Sequence, residues 1–304
     1  MTTKMSSPIL PGQTIGIIGG GQLGRMMAIS ARYMGYRIVV LDPTPDCPTA
    51  QIADEQLVAP YDDMQAIEQL IDMSDVITYE FENVDLDAAR FIESHGKLPQ
   101  GSKALKVTQH RQREKELLQD LNLRVPNFMV VHHRQQCEEA FKQFEYPFVV
   151  KSCRGGYDGK GQYKVEHDFD LEGALAFAEQ HYPCLIEQWI ECDQEISIIF
   201  TRSQAGEMTL FPMAENMHQD HILDTTFAPA DVTIDVKKQA HHIAKTIAEA
   251  LDVVGTFAIE LFVADGEVVV NEMAPLPHNS VHCTSKALSV AQFAQQRRAS
   301  CEFP

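Results

Sequence analysis

The stretch GTFAIELFVADGEVVVNEMA, residues 255–274, decides how this chain is read. Two apolar, β-branched runs flank Asp265-Gly266, which predicts an antiparallel hairpin. Glu260 and Glu272 lie inside those runs, where a carboxylate without a partner is costly. A three-residue turn over 265–267 sets Glu260 directly opposite Glu272, whereas a two-residue Asp-Gly turn sets Asn271 there instead. In the first register, two carboxylates on one face make a hard-oxygen site suited to Mg²⁺ bridging phosphates. The competing reading is a pair of solvated acids.

Upstream, the apolar run YPFVVK ends on Lys151 and leads into Gly155-Gly156-Tyr157-Asp158-Gly159-Lys160-Gly161-Gln162. With QYKVE following, this predicts a hairpin whose tip is rich in free backbone amides. Such a tip can fold over a polyphosphate while Lys151 and Lys160 neutralise charge. It is not a Walker A loop, which would open a helix. Without the strand-borne lysine it would read as a mobile surface hairpin. Further on, Glu187-Gln188-Trp189-Ile190 follows the short run CLI, with Glu195 beyond. It fits a linker whose backbone reads an adenine edge, with an acid for ribose hydroxyls, and equally a strand end with solvated acids.

The first hundred residues alternate the strand-like runs TIGIIGGG, RIVVLD, EQLVAP and DVITYEFE with helices beginning near Gln22, near Met64 and after Asp85. That alternation predicts a parallel sheet covered on both faces. Gly19-x-Gly21-x-x-Gly24, followed by Asp42 on the next strand, is the dinucleotide fingerprint, so an NAD-dependent dehydrogenase is one reading. The pattern breaks at LPQGSKAL (98–105). Beyond it lie the charged helix HRQREKELLQDL, short strands, and a helix over 237–251 whose apolar positions recur at helical spacing. Within the charged helix, Arg111–Lys115 reads as a solvated face.

Composition sets the outer limits. The 304 residues carry 25 basic and 43 acidic side chains, a formal charge of −18, with 44% hydrophobic residues. An ordinary soluble protein is expected, and general binding to nucleic acid or anionic membrane is not. No signal-peptide core or membrane span is evident, and the seven cysteines form no CxxC pair, so a cytoplasmic setting with free thiols is expected. The pairs His132-His133 and His241-His242 lack metal-ligand spacing.

Taken together, the lysine, Gly-rich hairpin, linker and paired carboxylates resemble an ATP-grasp enzyme. PGQTIGIIGGGQLGRMM, DVITYEFENV, GGYDGKGQ, EISIIF, ENMHQDHIL, GTFAIELFV and NEMAPLPHNS resemble the 5-(carboxyamino)imidazole ribonucleotide synthetases of purine biosynthesis. The likeness runs from about Pro11 to the end of the chain. It implies an α/β protein with a Rossmann-like parallel-sheet domain over 1–103, followed by an ATP-grasp fold of two α+β subdomains over 104–186 and 187–304. It also implies a reaction in which ATP phosphorylates bicarbonate and the 5-amino group of aminoimidazole ribonucleotide attacks the carboxyphosphate. By the same resemblance, Arg111, Lys151, Gly156, Tyr157, Asp158, Gly159, Lys160, Gly161 and Gln162 hold ATP phosphates. Glu187, Gln188, Trp189, Ile190, Glu195 and His218 take adenosine, with Asn271 and Glu272 completing the ATP contacts. Glu260 and Glu272 hold Mg²⁺. Gln22, Tyr157, Asp158, Asn279 and Ser280 face the ribonucleotide. Dimerisation is common in the family.

Two departures stand out. The family pattern NExAPRxHNSGH has an arginine and a glycine where this chain has Leu276 and Val281. Leucine cannot clamp an anion, and valine lacks the backbone freedom of glycine. Family members also continue past QFAQQRRASCEFP into a further lobe, so the chain is expected to be one lobe short. The alternative to the full enzyme is therefore a diverged ATP-binding relative with little turnover.

Overall fold

A computed structural model describes residues 7–156, 161–219 and 222–303; Tyr157, Asp158, Gly159 and Lys160 of the glycine-rich tip lie outside the described residues. β1 (Thr14–Ile18), α1 (Gln22–Tyr33), β2 (Arg37–Leu41), β3 (Glu55–Leu57), α2 (Met64–Met73), β4 (Val76–Tyr79) and α3 (Leu86–Ser94) form the first unit. Its parallel sheet runs in the order β3-β2-β1-β4. β1, β2 and β4 are near-continuous buried runs, as a sheet with helices on both faces requires. Ile18, Val39 and Ile77 meet α2 and α3 on one face, while Ile15, Ile17 and Ile38 meet α1 on the other. Asp63 and Asp85 cap α2 and α3 by accepting from backbone N–H groups of their first turns.

Next come α4 (Lys103–Thr108), α5 (Arg111–Asp120), β5 (Phe128–Val131), α6 (Arg134–Phe141), β6 (Phe148–Ser152), β7 (Gln162–Val165), α7 (Leu171–His181) and β8 (Cys184–Gln188). The four strands pair antiparallel as β5-β8-β6-β7. Period-two alternation sends Phe148 and Val150 into a core with α6 and α7 and leaves Val149 and Lys151 on the opposite face.

The last unit holds β9 (Gln194–Arg202), β10 (Met208–Leu210), β11 (Ala214–Gln219), β12 (Ile222–Phe227), α8 (Ile234–Leu251), β13 (Gly255–Ala264), β14 (Glu267–Ala274), α9 (Thr284–Ala287) and α10 (Gln292–Ser300). Its antiparallel sheet runs β12-β11-β9-β13-β14, with β10 also on β9. One face, through Ile196, Ile198, Phe257 and Ile259, packs on Ala240, Ile243, Ala244 and Ile247 of α8. The other face carries the polar residues Glu195, Ser197 and Glu260.

Three details depart from the sequence reading. The β13–β14 turn has two residues, Asp265 and Gly266, both at positive φ, because Ala264 pairs with Glu267. Glu260 nevertheless sits opposite Glu272: Leu261 pairs with Val270, so Asn271 is an extra residue bulged out of β14. The subdomain boundary at 187 cuts β8, which runs to Gln188, and Ala104, Leu118 and Leu123 join the core of the six-stranded sheet. Grouped by core, α5 goes with the last unit, α4 bridges it and the first through Ala104 and Leu105, and Phe293 and Cys301 of the α10 region go with the first.

The third departure concerns Arg111–Lys115, which is not a solvated face. Glu114 and Lys115 are 2% and 1% exposed. Lys115 Nζ lies 2.9 Å from one oxygen of the buried Glu187 carboxylate, and Lys151 Nζ lies 2.7 Å from the other. Helical spacing alone did not show this because both residues turn toward a partner that is distant in sequence. Burial by itself would raise the Glu187 carboxyl above its ordinary 4.5, but Lys115 and Lys151 outweigh it and pull it to about 2. Replacing Glu187 by Gln leaves two buried cations without their anion, and we expect a loss of about 3–5 kcal/mol. A depressed folded-state pKa contributes stability that is complete above the unfolded value and is lost as pH falls toward the folded one. Urea unfolding of wild type and Glu187→Gln should therefore show a constant gap above about pH 5 that narrows toward pH 2. A gap unchanged across that window would refute the assignment.

Candidate active site

A cleft of about 600 Å³ lies between the four-stranded and six-stranded sheets. It is lined from the first sheet by Val149, Lys151, Gln162, Glu187 and Gln188, and from the second by Glu195, His218, Glu260, Phe262, Asn271 and Glu272. Trp189, Ile190, Glu191 and Cys192 cross between the sheets along one side. Arg111 and Gly156 close another side.

Arg111 secures the root of the glycine-rich hairpin. Its guanidinium donates to the carbonyls of Ser152 (2.9 Å), Gly155 (2.7 Å) and Gly156 (3.3 Å). Gly155 and Gly156 stand at positive φ, where a side chain would strain the turn. Gly161 does not line the cleft; its carbonyl closes the hairpin base by accepting from the Ser152 N–H at 2.9 Å. Arg111 therefore holds the incoming side of the loop, with Lys151 on the strand leading into it.

Across the cleft, Glu260 and Glu272 are direct cross-strand partners, both partly open to it. His278 Nε2 lies 3.1 Å from Glu260 Oε1, and the other ring nitrogen lies 2.8 Å from Ser280 Oγ. Burial pushes the Glu260 carboxyl up, but His278, His218 and Lys151 hold it below the ordinary value. Among the described residues, no three His, Cys, Asp or Glu side chains cluster tightly enough to cage a metal by themselves. Two facing carboxylates that need further oxygens fit Mg²⁺, which is usually held by one or two carboxylates plus substrate phosphates. Glu82, which follows β4, also reaches this corner. Burial, with Glu272 and Glu260 adding to it, pushes its carboxyl up to about 8 against the pull of Arg111.

The adenosine-type contacts gather at the other end. Glu195 Oε2 and His218 Nδ1 lie 2.8 Å apart, and this hydrogen bond raises the His218 pKa. His218 adjoins a second bulge, between β11 and β12. Gln188 turns its side chain away, donating to the carbonyls of Glu145 and Pro147. Lys164 Nζ sits 4.4 Å from the centre of the Trp189 ring.

Fourteen of the expected residues line this cleft: Arg111, Lys151, Gly156, Gln162, Glu187, Gln188, Trp189, Ile190, Glu195, His218, Glu260, Asn271, Glu272 and Asn279. Three do not. Gln22 is exposed at the start of α1. Gly161 lies at the hairpin base. Ser280 is 1% exposed, with its hydroxyl 3.1 Å from Ser197 Oγ as well as bonded to His278, so it faces the interior rather than a substrate. Residues that sequence reasoning missed include Glu82, Cys192 and His278. Glu82 and His278 lie inside the quoted runs DVITYEFENV and NEMAPLPHNS, but lone acids and histidines there carry no spacing signal.

The dinucleotide reading fails at the α1 N-terminus. Glu80, at the end of β4, accepts hydrogen bonds from the Gly21 and Gly24 N–H groups, so the protein's own carboxylate occupies the anion position. Asp42 is buried too, accepting from the Gly20 N–H (2.7 Å), the Thr44 N–H (2.8 Å) and the Tyr61 hydroxyl (2.7 Å). It is not free for ribose hydroxyls. Val281 packs on Ile199, Phe211, Ala214 and Ala258 without positive φ, so it imposes no backbone strain. Leu276 is buried as well.

Comparison with known proteins agrees with this geometry. A ribonucleotide synthetase preATP-grasp domain model matches residues 12–109, and an ATP-grasp domain model matches residues 116–293. The chain is 44% identical over 297 residues to the N5-carboxyaminoimidazole ribonucleotide synthase of Bacillus subtilis strain 168, spanning 97% of this chain and 78% of that one. A solved ADP complex of an N5-carboxyaminoimidazole ribonucleotide synthetase matches with a TM-score of 0.95 at 47% identity, over 99% of this chain and 80% of that one. An Aspergillus clavatus N5-carboxyaminoimidazole synthase, solved with ADP and 5-aminoimidazole ribonucleotide, matches with a TM-score of 0.88 at 28% identity, over 96% of this chain and 77% of that one. No helix among the described residues is long and apolar enough to cross a membrane. With its preATP-grasp sheet, glycine-rich hairpin and facing carboxylates, the chain belongs to the N5-carboxyaminoimidazole ribonucleotide synthetase family of ATP-grasp enzymes.

Proposed function

We propose that this chain carboxylates the 5-amino group of 5-aminoimidazole ribonucleotide, using ATP and bicarbonate and releasing ADP and phosphate. The observation that carries the reading is a single cleft that faces Lys151 and an Arg111-anchored glycine-rich hairpin with the opposed pair Glu260 and Glu272. Relatives solved with ADP and with the ribonucleotide support it.

In this reading the protein's work is positioning and charge. Lys151, held in place by Glu187, meets the phosphates from the strand side, and Arg111 fixes the loop that covers them. Backbone groups of residues 187–190 take the adenine edge, and the Glu195–His218 pair takes the ribose. Glu260 and Glu272 would hold Mg²⁺, which when bound neutralises charge on the transferring phosphoryl group. Asn279 faces the reacting end of the cleft, and the resemblance adds Tyr157 and Asp158 there. Holding carboxyphosphate and amine together in a closed cleft supplies much of the rate, since pre-arranged reactants are worth about 7–11 kcal/mol of barrier. A cytoplasmic setting belongs to the same reading and is supported by seven cysteines that are all free thiols. A homodimer is proposed from the family resemblance, and light scattering will decide it.

Two experiments test the assignment. ADP release should require both the ribonucleotide and Mg²⁺; release that proceeds equally without the ribonucleotide would sink the carboxylation reading. Lys151→Met should lower kcat/KM for ATP by about 10²–10³-fold, the range seen when one charge-stabilising donor is removed. An ATP dependence unchanged in this variant would remove Lys151 from the site.

A further inference from the structure

Glu114 and Lys115 are consecutive residues of α5, and both turn their charged ends inward. Lys115 Nζ donates to the Asn271 carbonyl at 2.9 Å, and Glu114 Oε1 accepts the Met273 N–H at 2.7 Å. The two contacts bracket Glu272. β14 is the edge strand of its sheet; one contact falls on the bulged residue Asn271 and the other on Met273, which keeps its pairing with Ile259. A bulge leaves backbone groups without ladder partners and leaves local direction under-determined. Burying a lysine and a carboxyl group is costly unless each is well partnered, so docking α5 by apolar contacts alone would be cheaper. Leu118 of the same helix already supplies such contacts in the core of the six-stranded sheet.

We infer that Glu114 and Lys115 are positioning residues that grip the β14 bulge from both sides and set Glu272 against Glu260. Lys115 also holds Glu187, and through it Lys151, so the same helix turn fixes the phosphate lysine relative to the carboxylate pair. The inference rests on Glu260 and Glu272 being the Mg²⁺ ligands.

The test compares ADP affinity by calorimetry with Mg²⁺ and with EDTA. Glu114→Gln keeps the reach of an acceptor oxygen to the Met273 N–H, whereas Glu114→Asp keeps the carboxyl and falls short. The increment in ADP affinity due to Mg²⁺ should drop about ten-fold or more in Glu114→Asp, the usual scale for a group that orients a metal ligand, and stay within about two-fold in Glu114→Gln. Metal-free ADP affinity should be unchanged in both. Any other ranking, or an equal loss with EDTA, overturns the inference. Should the Asp variant not fold, Glu114→Asn has the same short reach and replaces it. If Mg²⁺ does not strengthen ADP binding in the wild type, the metal assignment itself fails, which is a separate result.

Discussion

The Glu187 carboxylate, buried between Lys115 and Lys151, is the constraint on which the rest of the site depends. It joins β8 to β6 within one sheet and to α5, whose apolar side sits in the core of the other sheet. The glutamate is the member the trio cannot lose, since its removal leaves two lysines without their anion. The two sheets that form the cleft are thus held at a separation set by side chains that also bear on its chemistry. Lys151, the proposed phosphate lysine, is pre-oriented by a glutamate that is 2% exposed.

The first parallel sheet contributes differently from what its glycine turn suggests. With Glu80 filling the α1 N-terminus, its link to the cleft runs through buried glutamines instead. Gln292 of α10 grips the backbone of His278 at both ends, accepting its N–H and donating to its carbonyl, each at 2.8 Å. Gln296 accepts the Thr256 N–H at 2.6 Å and donates to Thr78 Oγ1 of β4 at 3.1 Å. Thr78 in turn bonds Gln100, which donates to the Pro275 carbonyl at 3.1 Å. The turn carrying Pro275 to His278 is therefore tied to the first sheet by fully partnered polar groups. Such networks specify one geometry because every member left unpaired is costly.

Much of this was legible in the sequence where local rules dominate. Strands of the first sheet follow from β-branched runs between capped helices, and the paired acids follow from two apolar strands around Asp-Gly. Glu260 and Glu272 do face one another, but through a two-residue turn plus a bulge at Asn271, two effects that cancel. Bulges have no sequence signature strong enough to set register. Glu114 and Lys115 were read as solvated because their partners, Glu187, Asn271 and Met273, are distant in the chain. The GxGxxG turn was ambiguous for the same reason: whether its amides await a ligand depends on Glu80, a residue of another strand.

Charge in the cleft bears on why the metal and the two departures matter. Its lining holds six acids (Glu82, Glu187, Glu191, Glu195, Glu260 and Glu272) against two strong bases, Arg111 and Lys151, among the described residues. A polyphosphate is repelled by such a lining unless cations accompany it, because charges a few ångströms apart in a partly dry cleft interact by several kcal/mol. Leu276 adds nothing to offset this where the family pattern has an arginine, and it packs as an apolar residue at 7% exposure. Arg111 already engages three carbonyls of the hairpin root. Among the described residues the anion is left with Lys151 and with cations carried in with it, which makes the spacing of Glu260 and Glu272 a demanding dimension of the proposed site.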